Sequence, residues 1–356
     1  MRHSFLVLAA AAVALARPLN AQNQTLEIVR LAEGVHAAIR SEFRMDPIES
    51  NSLVVIGPDD VMVVDTGRTP HTARRIIGEI RKLTDRPVRL VVNSHWHDDH
   101  VFGNQAFEEA FPGVHFIAHR QTRLEMISRS IPSLKDYGLE YWSKMAERFE
   151  AQLAKGTRPD GSPLSEAQKT RLLDQARTVR DFLPKIEGQR IVLPTMEIES
   201  TVTIHQGKRE IRLIHAGSGN TPGDVAVYLP QEKILATGDL LVHPVPFAYG
   251  SDIPAWVATL KTLRALDVDV IVPGHGPVMR DPQYLDLVIG LFQSLVDQVT
   301  AAKKAGLSLD ETRKKLDVEP YRARMTGDDG FRRATFADSI VREAVERIYK
   351  AIAPAR

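Results

Sequence analysis

The chain has 356 residues, a formal net charge of +1 from 46 Lys and Arg against 45 Asp and Glu, and no cysteine. This near-neutral balance gives no basis for nucleic acid or an acidic membrane as a partner. Without thiols there are no disulfides, zinc fingers or iron–sulfur sites, so any metal must be held by nitrogen and oxygen. Hydrophobic content of 43% and charged content of 26% suit a globular protein with a large core, in one domain or two.

In chain order, Arg2 and His3 precede an apolar run, Phe5–Ala16, that is too short to span a bilayer. Ala14-Leu15-Ala16 offers a small-x-small cleavage pattern and Ala21 a second one. The expectation is an export signal over residues 1–21, and hence a periplasmic or secreted protein with no stable membrane insertion. Its removal takes away Arg2 and Arg17 and no acid, which brings the net charge to −1. No later segment is expected to approach the apolar length of a transmembrane helix.

Leu53–Ile56 and Val61–Val64 flank Gly57-Pro58-Asp59-Asp60 and read as a hairpin ending at Asp65-Thr66-Gly67. A helical pattern follows from Pro70 to Leu83, then an apolar strand at Val88–Val92 and a short one at Phe116–Ala118. From about 120 to 188 the chain is polar, charged and helical, and reads as an insertion. Its second helix opens on a capping box, Ser165 to Gln168, and shows an apolar face at Leu172, Leu173, Ala176, Val179, Phe182 and Leu183. Strands are expected to resume near Ile191. Val225–Leu229 and Ile234–Ala236 form a second hairpin pattern leading to Thr237-Gly238-Asp239, which repeats the layout around Asp65. Beyond about 282 the chain reads as helical, with a core-facing stripe of Leu285, Val288, Ile289, Phe292, Leu295, Val296 and Val299 and a capping box at Ser308 and Glu311.

The stretch His95-Trp96-His97-Asp98-Asp99-His100 carries the chemistry. Three imidazoles and two nearby carboxylates suit a borderline metal such as zinc. In extended backbone His95 and His97 point the same way, while Asp99 and His100 fall past a bend and can face a second ion. Three glycine-rich motifs follow, each after a β-type run: Gly217–Asp224, Thr237-Gly238-Asp239 and Pro273-Gly274-His275-Gly276-Pro277. Such turns bring backbone close to a site and place one polar side chain there.

In this order and spacing the motifs resemble the metallo-β-lactamase superfamily, over about residues 27 to 280. Asn51-Ser52, Asn93-Ser94 and Gly103-Asn104 add to the likeness. The resemblance implies an α/β fold, an αβ/βα four-layer sandwich of two mixed sheets with helices outside. This would occupy 25–281, with the helical insertion and a helical C-terminal extension at 282–356. It implies His95 and His97 as ligands of a first metal, Asp99, His100 and His275 of a second, and Asp239 as the shared carboxylate. Asp99 would also orient a metal-bound hydroxide as the catalytic group, and Asp65 would accept a hydrogen bond from a ligand imidazole, with a plain strand-end turn acid as the alternative.

Asn220 departs from the pattern, because this position normally carries the third histidine of the first metal. The expectation is one tight zinc ion at Asp99, His100, His275 and Asp239, with a weaker or absent ion at His95 and His97; manganese and iron stay open. Asn220 ligating through its oxygen, or His215 swinging in, are the alternatives, although His215 reads better as a packing or supporting residue. Trp96, Phe102, His243 and Tyr249 are candidates for lining a substrate pocket.

The implied function is a zinc-dependent hydrolase acting on an ester, thioester, lactone or lactam of a small molecule. A periplasmic metallo-β-lactamase proper, and a non-catalytic exported metal-binding protein with a decayed first site, are the alternatives. A mononuclear iron dioxygenase would use the histidine replaced by Asn220, and a nuclease would call for a basic stripe. The sequence leaves the oligomeric state open.

Overall fold

The computed structural model describes residues 25–40, 48–136, 138–158 and 160–352. The expected export signal lies outside them. Seven strands form one sheet in sequential order: β1 (Leu26–Ala32), β2 (Val35–Arg40), β3 (Ser52–Ile56), β4 (Val61–Val64), β5 (Val88–Val92), β6 (His115–His119) and β7 (Met196–Ile198). The first four pair antiparallel, and β4 to β7 run parallel. The second sheet is built from β8 (Val202–Gln206), β9 (Arg209–Ile214), β10 (Ala226–Leu229), β11 (Ile234–Val242) and β12 (Val270–His275), and β11 and β12 are its parallel pair.

Period-two alternation explains how the sheets stack. In β3 and β4, Leu53, Val55, Met62 and Val64 face the other sheet and meet Leu213, Val227, Ile234, Ala236 and Val272. Their neighbours Val54, Val61 and Val63 face outward, against Ile76, Ile80 and Phe107 from the helices Pro70–Leu83 and Asn104–Ala110. On the far side, Tyr228, Leu235 and Ile271 pack beneath Trp256, Phe292 and Phe336. Two apolar sheet faces thus meet in the middle and helices cover the outer two, which gives four layers.

The expected helix Pro70–Leu83 forms with those bounds. Thr69 caps it through Thr72 N, and Pro70 sits where its missing N–H costs nothing. Both expected capping boxes are present, at Ser165 with Gln168 and at Ser308 with Glu311. Other expectations are corrected. Strand structure after the helical stretch resumes at Met196 rather than Ile191. Leu173 is exposed, while Leu172, Ala176, Val179 and Phe182 are buried, so the apolar face is narrower than the sequence suggested. The helix Gln283–Lys304 is long and apolar enough to cross a membrane by length and composition, contrary to expectation. Its Leu285, Val288, Phe292, Leu295 and Val299 are nevertheless core residues of the sandwich.

That packing has a measurable consequence. Phe292 is fully buried against Trp256, with ring centroids 4.8 Å apart. Phe292→Ala is expected to lower unfolding stability by about 3–5 kcal/mol in urea titration. A loss close to zero would mean that this helix does not share the sandwich core.

Candidate metal centre

Strands β4, β5, β11 and β12 bring their carboxyl-terminal ends to one edge of the sandwich, and the chemistry-bearing residues collect there. Asp65 follows β4, the histidine stretch follows β5, and Asp239 and His275 lie within β11 and β12. The last two are therefore strand residues, not the turn residues expected from their glycines. Pairing between β11 and β12 shifts register around Gly238, where the backbone is left-handed (φ 51°). A Cβ on Gly274 would stand 2.1 Å from Asp239 Oδ1, so only glycine lets the two strands close over that carboxylate.

The site residues fall into two groups whose ligand-type atoms converge: His95, His97 and Asp239, and Asp99, His100 and His275. Asp239 Oδ2 lies 3.7 Å from His95 Nε2, while Oδ1 lies 3.2 Å from His100 Nε2 and 3.4 Å from His275 Nε2. One oxygen thus faces each group. Asp99 Oδ2 is 3.0 Å from His275 Nε2 and 3.6 Å from His100 Nε2.

Hydrogen bonds behind the histidines decide which ring nitrogen looks inward. His100 Nδ1 donates to Asp65 Oδ2 at 2.7 Å, which leaves Nε2 for the site. The Ser94 hydroxyl donates to the same oxygen at 2.6 Å, so at 3.0 Å it accepts from His95 Nδ1 and again leaves Nε2 inward. Asp65 Oδ1 also accepts Ser94 N at 2.8 Å. The supporting role expected for Asp65 is met by this geometry. Ser94 has the same role and was visible in the sequence only as part of a motif. Ser50, whose hydroxyl donates to Asp99 O at 2.6 Å, gave no signal at all.

His100 Nε2 and Asp239 Oδ1 are buried and make no aligned hydrogen bond, although they lie side by side. Atoms in that state call for a further partner. Nitrogen and carboxylate oxygen converging in pairs on one spot fit a divalent cation such as zinc.

The metal-free electrostatics separate the two groups. Burial holds His95 well below the usual imidazole range, with the charges of His100 and His97 adding to it. Burial also lowers His97. Burial opposes charge on His100 too, but Asp239, Asp99 and Asp65 outweigh it and raise this imidazole well above its ordinary value. His275 is raised against the same burial by Asp239 and Asp99. Burial likewise disfavours charge on Asp99, and His100 and His275 reverse it, holding the carboxyl well below its usual range.

Asn220 sits in the loop between β9 and β10, which touches the histidine stretch through Val225 N to Ser94 O at 2.8 Å. Its Nδ2 donates to Phe247 O at 2.7 Å, which fixes the amide and leaves Oδ1 buried without a hydrogen-bond partner among the described residues. His215 is turned elsewhere. It stacks on His119 with centroids 4.0 Å apart, and its Nδ1 lies 2.9 Å from Asp224 O. Of the expected pocket residues, Trp96 meets His97 edge-on, whereas Phe102 is buried in a small core with Val101 and Met126. Tyr249 hydrogen-bonds Asp338 at 2.5 Å, and His243 lines a small cavity with Phe247 and Phe331. A groove of about 950 Å³ lined by Arg30, Arg86 and Lys208 lies at the opposite strand ends and gathers none of these residues.

The arrangement sets two groups that could each hold a metal ion on the edge of an αβ/βα sandwich. A sequence profile of the metallo-beta-lactamase superfamily matches residues 45–275, and the chain belongs to that superfamily. A linear primary-alkylsulfatase from Pseudomonas sp. (strain ATCC 19151) is 23% identical over 293 residues, covering 77% of this chain and 51% of the relative. A metallo-beta-lactamase type 2 from Bacillus cereus is 29% identical over 91 residues, covering 24% of this chain and 36% of that one. Among solved structures, a stereoselective inverting sec-alkylsulfatase from Pseudomonas sp. aligns with a TM-score of 0.62 at 17% identity, over 93% of this chain and 51% of its own. A metallo-beta-lactamase from Pontibacter korlensis aligns at 0.53 with 20% identity, over 76% of this chain and 99% of its own. The chain spans about half the length, or less, of the curated relatives it matches.

Because His100 and His275 are raised, a cation entering their group must displace protons, and its apparent affinity rises with pH. Zinc titrations at neutral pH in two buffers of different ionisation enthalpy are expected to show at least about one proton released per ion bound there. Heat independent of the buffer would contradict the protonated state assigned to His100.

Proposed function

We propose that this chain is a zinc-dependent hydrolase of small-molecule esters, with a sulfate ester of an aliphatic alcohol as the first substrate to test. The observation that carries the proposal is Asp239, with one carboxylate oxygen toward each of the two ligand-type groups. The alkylsulfatase relative, matched over 77% of this chain, supports the sulfate ester ahead of a β-lactam, since the lactamase from Bacillus cereus is matched over only 24%. This adds sulfate esters to the carbonyl esters, thioesters, lactones and lactams expected from the sequence.

When bound, such an ion lowers the pKa of water toward neutrality and draws electron density from the ester group. Asp99, His100, His275 and Asp239 would hold one ion, and His95, His97 and Asp239 the other, with Asn220 Oδ1 as an oxygen donor in the first group. Asp65 and Ser94 keep His100 and His95 turned with Nε2 inward. Asp99, kept ionised by its imidazole neighbours, orients the attacking water. We further propose that the protein is exported, on the pattern of residues 1–21.

An amide oxygen is a poorer zinc ligand than imidazole, so the first group should bind more weakly than the second. Dialysis against a weak chelator, followed by metal analysis, is expected to leave one ion per chain and to leave two in Asn220→His. Two equally retained ions in the unaltered protein would contradict the asymmetry. For activity, the zinc-loaded protein is assayed against hexyl sulfate, nitrocefin, a lactone and a thioester. Asp239→Ala and His275→Ala are each expected to lower turnover by at least about a hundredfold. No turnover of any of the four, with metal bound, would overturn the hydrolase reading in favour of a metal-binding protein.

A further inference from the structure

Trp96 stands in the middle of the ligand-type stretch but offers no ligand atom itself. Its ring meets His97 edge-on with centroids 4.6 Å apart, and its carbonyl accepts a hydrogen bond from Ser130 Oγ at 3.2 Å. The guanidinium of Arg129 lies over the same ring, with Cζ 5.2 Å from the centroid. Arg129 Nε is 3.5 Å from Glu125 Oε1, and Glu125 is itself buried. Arg129 belongs to a widened, π-type helical turn, Met126–Ser130, of the kind that re-aims side chains at functional positions. Met126 is fully buried against Val101 and Phe102, so this turn is anchored on the segment that carries His95 to His100.

The guanidinium is therefore held on two sides. Its face lies on the indole, and its Nε is drawn back toward Glu125. The Nη atoms have no protein partner among the described residues, and the side chain is exposed. A planar fork fixed at its face and rear, with its outer edge open, is prepared for two parallel hydrogen bonds to a carboxylate, sulfate or sulfonate. At 3.5 Å, with Arg129 largely exposed, the pair offsets part of the burial of Glu125 but leaves the outer edge of the guanidinium unused. The surroundings give the further reason: the ring beneath the guanidinium is the one that meets His97, so its open edge lies one indole away from the ligand-type groups.

We propose that Arg129 is a specificity-determining residue that binds the anionic group of the substrate, one indole ring away from His97. The proposal rests on the reading of residues 95–100 as the reaction centre. It names the substrate class for that centre, a small organic anion carrying sulfate or carboxylate.

The test is calorimetric titration of the zinc-loaded full chain with 1-hexanesulfonate, and with hexan-1-ol as the uncharged partner. Neither probe has an ester bond, so binding is read whether or not the protein is a hydrolase, and the hydrolase reading stands or falls on the turnover assays. Arg129→Gln is expected to weaken hexanesulfonate binding by roughly tenfold and to leave hexanol binding unchanged. Arg129→Lys is expected to recover part of the loss, because the charge remains without the fork. Hexanesulfonate binding in Arg129→Gln within about twofold of the unaltered protein would overturn the proposal, as would equal losses for both probes.

Discussion

The carboxylate of Asp65 receives hydrogen bonds from Ser94 N, Ser94 Oγ and His100 Nδ1, and the rest of the centre depends on that convergence. Asp65 has a left-handed backbone (φ 59°), which bulky residues avoid and Asp tolerates. This conformation turns the chain sharply at the end of β4, so the side chain faces the neighbouring strand end. A buried carboxylate with three donors is strongly held, since each charge-assisted bond is worth about 1.5–3 kcal/mol. Its second effect is directional. By occupying the rear nitrogen of His100 directly, and that of His95 through Ser94, it turns both Nε2 atoms toward the same space. Further out, Asn93 and Asn104 exchange amide hydrogen bonds of 3.0 and 2.8 Å, and Thr66 Oγ1 joins them at 2.9 Å. The turn after β4 is thereby tied to the helix that follows the histidines.

The second sheet is joined to this frame by Asn51. Its side-chain amide donates to Pro273 O at 2.9 Å and to Gly276 O at 2.8 Å, on either side of His275. A residue beside the first hairpin thus sets the position of a ligand-type histidine more than two hundred positions later. Side-chain amides suit this work because one group can satisfy two backbone carbonyls in a buried place, where leaving either unpaired would cost more than the bond itself returns.

The sequence revealed most of the sandwich because its strands are short, apolar and bounded by turn residues, as at Gly57-Pro58-Asp59-Asp60. It revealed the metal-type residues because imidazoles and carboxylates at such density have no simple packing explanation. Its errors have physical causes. Thr237-Gly238-Asp239 and Pro273-Gly274-His275 looked like turns because glycine and proline usually break strands, yet here glycine makes room where two strands pass over a carboxylate. Phe102 looked available to a substrate because it follows the histidines, but helical geometry turns it into the core with Met126. Arg129 was unreadable for a different reason. A lone arginine in a charged helical stretch is ordinary, and only the fold shows that it covers Trp96.

Position 220 can then be judged on the whole frame instead of on a missing histidine. If the first group had simply decayed, an apolar residue or a fully hydrogen-bonded one would be expected at position 220. Instead the Asn220 amide is oriented by Phe247 O, and its oxygen is left buried and unpaired among the described residues, a state that costs about 1–3 kcal/mol. His95 in the first group keeps its support, with Ser94 still behind it. Such a cost persists more readily where the oxygen gains a partner, and that is what supports the proposed oxygen donor in the first group over the loss of a site.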